Sequence, residues 1–420
     1  MKDSDVTHIV AAQGGMKSWT NWVGNQSFMP QKIASPETEA ALIKRMQSAA
    51  ADGSGVRAFG SGHSFTPIVE TSGTLLCLDA LQGIISINAG RQEVTAWAQT
   101  RIAAFGDTLW NHGLALANQG DIDTQAIAGS IATGTHGSGK DLGSFSSTLR
   151  AARVIDGHGQ VHDLSSEANP DIFPAFQVAI GLLGIMTQVT IKVVPAYYLH
   201  EQIRIMHIDD VLERWEDLVA NNRHFSFFWM PSDASAALYG FKDAGKDHCM
   251  VKIYNEVPAD FVAPHERLNG SDRVDRGYRI YPHVFEPNFH ELEYFLPIDW
   301  AKDVLREQRA LMVKSMPDSQ FPLEVRLIAP ESGWLSPNYS RANVVLSVSG
   351  TPGTDYWPYL RATDALFSQF AARPHWGKLH FMTPQRTAAL FPRYEDFKTL
   401  RRQFDPKGIF LNPHLRPLFE

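Results

Sequence analysis

The chain reads as an α+β protein of two domains, and three observations carry that reading. Strand-like and helix-like patterns interchange along its first half, with short turns between them. At 420 residues it is longer than a single hydrophobic core usually grows. Its 44% hydrophobic and 20% charged residues are those of a soluble globular protein.

The elements follow in order. Residues 37–52 predict a helix, with Ser35 as N-cap and Pro36 in the first turn. Residues 56–60 and 75–78 predict short strands. Residues 96–112 carry a helical pattern that stops at Gly113, a residue suited to a helix end. Residues 149–155 and 161–164, joined through Gly157-His158-Gly159, predict a hairpin. An apolar strand over 184–194 closes this half. After Pro195 aromatic residues become frequent, and 208–220 and 300–312 are amphipathic helical stretches of a second α+β domain.

Composition excludes several functions. A net charge of −7 does not supply the basic face that nucleic acid requires. The two cysteines, Cys77 and Cys249, allow neither a disulfide framework nor zinc-ligand spacing, so no metal site is expected and a reduced, cytoplasmic setting fits. Asp3 and Asp5 interrupt any apolar leader. The most apolar stretch, 172–194, contains Gln177, Gln188 and Lys192, which suits buried strand and helix better than a membrane span.

Two small-residue segments carry the chemistry. Gly60-Ser61-Gly62-His63-Ser64 follows an apolar strand. Glycines let the backbone turn tightly and approach a ligand, and successive N–H groups in one concavity make a nest for anionic oxygens. Some 70 residues on, residues 128–139 hold four glycines and two alanines in twelve positions. Such a loop offers little to a core and much to a ligand that approaches the backbone. It lacks the strand, G-x-G-x-x-G, helix and later acid of a Rossmann site, and the Gly-Lys-Ser/Thr of a P-loop. The pair suggests a large cofactor clasped from two sides.

These segments resemble those of the vanillyl-alcohol-oxidase superfamily of flavoproteins, in its alditol oxidase and aldonolactone oxidase branch. Gly181-Leu182-Leu183-Gly184-Ile185, Glu324-Val325-Arg326, His375-Trp376-Gly377-Lys378 and the tail from Phe404 to Asn412 share the resemblance. It runs from about Asn21 onward. It implies an FAD-binding domain over 1–196, a substrate cap over 197–384 and a segment over 385–420 that returns to the FAD domain. FAD would be held by Gly60, Ser61, Gly62, His63, Ser64, Gly129, Ser130, Thr133, Gly134, His136, Gly137, Gly184 and Ile185. It would be bonded covalently through the His63 imidazole. Ser130 matches a serine near the substrate.

Glu324 and Arg326 stand at i and i+2, which on a strand puts both on one face. Facing the flavin, they would bind a polyol, the carboxylate accepting from hydroxyls and the guanidinium donating. Lys378 is the expected base for the hydroxyl proton, provided that nearby cations such as Arg326 and desolvation depress its pKa. His380 is the alternative base. Where alditol oxidases carry a histidine, this chain has Ser347. The segment from Asp121 to Gln125 looks more like that of aldonolactone oxidases. The expected reaction is oxidation of a carbohydrate alcohol, with oxygen as acceptor and peroxide as product; a dehydrogenase with another acceptor is the alternative. The alcohol could belong to a polyol, a lactone or a sugar conjugate such as a nucleoside.

Overall fold

The computed structural model describes residues 8–11, 17–241, 244–262, 270–283 and 288–420; Asp3 and Asp5 lie outside them. The helix Glu39–Asp52 buries Leu42, Met46 and Ala49 along one stripe. Its N-cap is Thr38, whose hydroxyl accepts from the Ala41 N–H at 3.2 Å. Ser35 and Pro36 therefore lie ahead of the helix rather than in it. The strand Val56–Phe59 pairs in parallel with Thr74–Cys77, close to the predicted bounds.

A second sheet has five antiparallel strands, in the order Val161–Ser165, Leu149–Ile155, Ile185–Lys192, Glu93–Trp97 and Ile84–Asn88. The predicted hairpin is its edge pair, with Ile155 opposite Val161. The predicted helix over 96–112 is replaced. Ala96 and Trp97 end a strand, and only Ile102–Phe105 and Gly106–Trp110 are helical turns. Val94 and Ala96 point into the core with period two, so burial of a strand face outweighs local helix propensity.

The third sheet positions the site. Its eight antiparallel strands run in the order Gly270–Arg276, Tyr198–His207, His248–Val257, His224–Trp229, Leu323–Ile328, Asn343–Gly350, His290–Pro297 and Arg373–Pro374. One face carries Leu292, Tyr294, Val325, Leu327, Leu346 and Val348, which pack with Val304, Leu305, Leu360 and Phe367 of the helices Ala301–Ser315 and Trp357–Ser368. The other face carries the polar alternates. The amphipathic stretch 208–220 is two helices, Ile208–Glu213 and Trp215–Ala220, that meet at Arg214.

Residues 391–419 return to pack with residues 42–56 and 173–191 in one apolar cluster. Asp405 accepts from the N–H groups of Ile409 and Phe410 at 2.8 and 2.9 Å. The Asn412 amide donates to the carbonyls of Pro67 and Glu70, each at 2.9 Å. Among the described residues, no helix is long and apolar enough to cross a membrane. Cys77 and Cys249 are both buried and unbridged.

Candidate active site

One long cavity runs from Arg57 and Gly181 to Glu324 and Lys378. At one end, the strand Val56–Phe59 delivers the chain into residues 60–64. Gly62 takes a φ of 67°, a left-handed turn that side chains resist. A Cβ on Gly60 would lie 3.0 Å from that of Ala126, the residue that leads into the second small-residue segment. The loop is pinned by the Phe65 N–H to Gly377 O bond at 2.7 Å and by Asn21 donating to Ser64 O at 3.0 Å. The His63 ring stacks on Trp22 at 5.0 Å.

Ser61, Gly62 and Ser64 line the cavity, and among the described residues nothing accepts from their backbone N–H groups. Donors left open on a cavity wall suit an anionic diphosphate. The wall continues through Gly184 and Ile185 to Gly181, beneath which the buried Arg57 guanidinium donates to the carbonyls of Ile180, Gly181 and Phe410 at 2.7, 3.0 and 2.9 Å. The residues present therefore fit FAD.

The second segment begins as a helix, Ile127–Thr133, rather than as a loop. A Cβ on Gly129 would meet nothing within 4 Å, so this helix offers its backbone to the cavity. Ser130 and Thr133 also line it. The Ser130 hydroxyl bonds Gln125 Oε1 at 3.2 Å and Ala126 O at 3.1 Å. Gly134 and Gly137 stand off the wall: Gly134 ends the helix, and Gly137 packs against the Gln119 carbonyl.

The eight-stranded sheet closes the other side. Glu324 and Arg326 do share a face of the strand Leu323–Ile328, and both line the cavity. Ser347 lies directly opposite Glu324, and Glu293 directly opposite Ser347. Arg326 Nη2 donates to Glu293 and forms an ion pair with Glu324 at 3.3 Å. The Ser347 hydroxyl donates to Glu293 at 2.7 Å. Lys378 pairs with Glu291 and sits 4.8 Å above the Phe65 ring.

Glu291 and Glu293 went unread in the sequence. The signal was present, since Glu291-Leu292-Glu293-Tyr294 alternates as Glu324-Val325-Arg326 does. Carboxylate oxygens of Glu291, Glu293 and Glu324 lie within 4.8 Å of one another. Their states diverge. Burial pushes the Glu293 carboxyl up, but Arg326 and the His136 contact outweigh it and hold it well below the usual range. Burial pushes Glu324 up to about 7; Arg326 opposes this, while Asp121, Glu291 and Glu293 add to it.

Two expected roles change. Lys378 has a carboxylate, Glu291, and the Phe65 ring as its neighbours, while Arg326, the cation expected beside it, pairs with Glu293 and Glu324. His380 is off the cavity wall, between Trp376 and His414 at ring distances of 5.7 and 5.4 Å. Burial drives its pKa down to about 3. His136 lines the cavity as well; its Nδ1 bonds Gly137 O at 2.7 Å and its Nε2 lies 3.3 Å from Glu293.

The family described as D-arabinono-1,4-lactone oxidase matches residues 189–252 and 248–418, and the FAD binding domain matches residues 30–165. The chain is 31% identical to the L-gulono-1,4-lactone dehydrogenase of Mycobacterium tuberculosis, over 95% of this chain and 98% of that protein. It is 29% identical to the alditol oxidase of a Streptomyces species, over 96% and 99% of the two chains. It is 24% identical to the L-gulonolactone oxidase of Mus musculus, over 95% and 97%. The crystal structure of cholesterol oxidase from B. sterolicum has the same fold, with a TM-score of 0.80 at 15% identity over 99% of this chain and 98% of that one. An open backbone nest facing a row of paired acids and bases, together with these matches, settles the lineage. The chain belongs to the D-arabinono-1,4-lactone oxidase family, in the aldonolactone oxidase branch of the vanillyl-alcohol-oxidase superfamily, and carries that superfamily's FAD-binding domain.

Proposed function

We propose that this protein is an FAD-dependent oxidase of a carbohydrate alcohol, with a polyol or aldonolactone as the core of its substrate and residues 197–384 as the cap over it. The observation that carries this reading is the placement of Glu324, Arg326, Glu291, Glu293 and Lys378 on the wall of the cavity that the FAD nest also lines. FAD held there supplies a two-electron acceptor for the hydride of a carbinol.

The chain's own residues manage the proton and the charge. Arg326 and Lys378 donate to substrate hydroxyls and stabilise negative charge as it develops on oxygen. Glu324 takes the hydroxyl proton, since a carboxylate with a pKa near 7 is matched to neutral pH. Glu293 stays ionised and fixes Arg326. His63, in the nest loop and stacked on Trp22, is the residue we assign to covalent attachment. The open space at Gly129 gives oxygen room to approach, and peroxide is the expected product.

The second reading is a dehydrogenase with a different electron acceptor, because one relative of this length bears that name. Peroxide yield under air, measured against substrate consumed, decides between them. Anaerobic bleaching of the yellow colour by alditols, aldonolactones or sugar conjugates such as nucleosides tests the reading itself; a protein that none of them bleaches is not this enzyme.

A further inference from the structure

The polar patch on the cap sheet has an aromatic border. Phe228 lies directly opposite Glu324 in the antiparallel register, and Glu324 lies opposite Ser347 and Ser347 opposite Glu293. Directly opposed residues share a face, so these side chains form one row across four strands. The row reads aromatic, acid, hydroxyl, acid. Strands lie about 4.8 Å apart, so it spans roughly 14 Å. An extended six-carbon chain, with bonds of about 1.5 Å, covers only about half of that. A sugar engaged by Glu324, Ser347 and Glu293 leaves the Phe228 end of the row uncovered.

That end is built for a flat group. Tyr239 packs against Phe228 at a ring distance of 5.3 Å, and both line the cavity. The pair belongs to a small apolar cluster with Met230 and Ala236, apart from the main core of the cap. Aromatic rings beside a sugar-binding row add affinity for another flat ring through stacking. A free alditol has no such ring.

We propose that the substrate is a sugar or sugar-derived polyol bearing a planar aromatic group, and that Phe228 and Tyr239 form the subsite for that group. This rests on the reading of the cavity as a carbohydrate alcohol site. A nucleoside and an aryl glycoside share the required chemistry.

The test compares adenosine and phenyl β-D-ribofuranoside with ribitol and L-gulono-1,4-lactone on the holoenzyme, scored by anaerobic flavin bleaching. Wild type should show a higher kcat/KM for the aromatic conjugates. Phe228→Leu, which keeps apolar volume, and Tyr239→Ala should each cut the ratio of conjugate to free sugar about ten- to a hundredfold. Preference for both conjugates, or for adenosine alone, supports the subsite. No preference in wild type, or a ratio unmoved by both substitutions, overturns it. Bleaching by ribitol or the lactone alone would overturn the subsite and leave the oxidase reading standing. If no compound bleaches the flavin, the oxidase reading fails. Calorimetric binding of the phenyl riboside to wild type and to Phe228→Leu then still decides: equal or absent binding overturns the subsite, and weaker binding by the variant supports it.

Discussion

Glu293 and Arg326 pair over the top of an intervening strand, the one that carries Ser347 between them. Arg326 also touches Glu324 on its own strand. One guanidinium nitrogen therefore serves two carboxylates of opposite character, one held ionised and one pushed toward neutrality.

The rate of flavin reduction should consequently rise with pH through about 7 and then level, as Glu324 loses its proton. Glu324→Gln should flatten that rise and lower the plateau at least tenfold, the worth of about 1.4 kcal/mol. Anaerobic stopped-flow bleaching across pH 5.5–9, a range centred roughly on that value, is the measurement. A Glu324→Gln profile that keeps the wild-type rise would assign the titration to another group.

The same carboxyl should leave a mark on stability. Its pKa in the folded state lies above the ordinary 4.5, at about 7, so the folded protein holds more protons than the unfolded chain between those values. Stability from this group is full below pH 4.5 and declines as pH rises to about 7. Glu324→Gln should remove that decline and melt higher than wild type at pH 8. Melting temperature against pH for both proteins checks the sign.

Lys378→Met should nearly abolish flavin reduction while the flavin stays bound, because the open N–H groups of the nest belong to the backbone of residues 60–64 and not to the lysine side chain. The substitution also strands Glu291 beside an apolar side chain, and breaking a buried pair costs about 3–5 kcal/mol. Adding Glu291→Gln should restore the melting temperature and leave activity lost. Recovery of turnover in the double variant would make the lysine a structural counter-ion only.

His63→Ala should release its flavin on acid precipitation, whereas wild type should keep yellow fluorescence through denaturing electrophoresis. Flavin lost from denatured wild type would exclude the covalent bond.

Gly129→Ala should fold normally, since its Cβ meets nothing within 4 Å. If oxygen reaches the flavin over this residue, the variant should reoxidise more slowly in air with its rate of reduction by substrate unchanged. Reoxidation within twofold of wild type would locate the oxygen route elsewhere.

The strand of Glu324 and Arg326 was legible because a two-residue period needs only local sequence. Glu291 and Glu293 carry the same period, but their meaning depends on partners that are remote in sequence. Lys378 meets Glu291 across 87 residues, and Arg326 meets Glu293 across 33. No local pattern encodes such pairing, so Lys378 read as a candidate base when its neighbour is a carboxylate. The segment 128–139 read as a loop because glycine and alanine runs lack capping and amphipathic signals, although packing makes its first half a helix. His380 read as a rival base because proximity to Lys378 in sequence says nothing about which side of the chain faces a cavity.

The bonds from Asn412 to the carbonyls of Pro67 and Glu70, and from Arg57 to Phe410, have a bearing on how the protein matures in time. Synthesis runs from the N-terminus, so the loop of residues 60–64 emerges long before the tail that braces it. During translation the residues that flank that loop stand without these bonds, while the early part of the chain can already gather its secondary structure. The strand and turns on either side of residues 60–64 therefore reach the arrangement described here only once residues 405–412 have been made and folded back onto them.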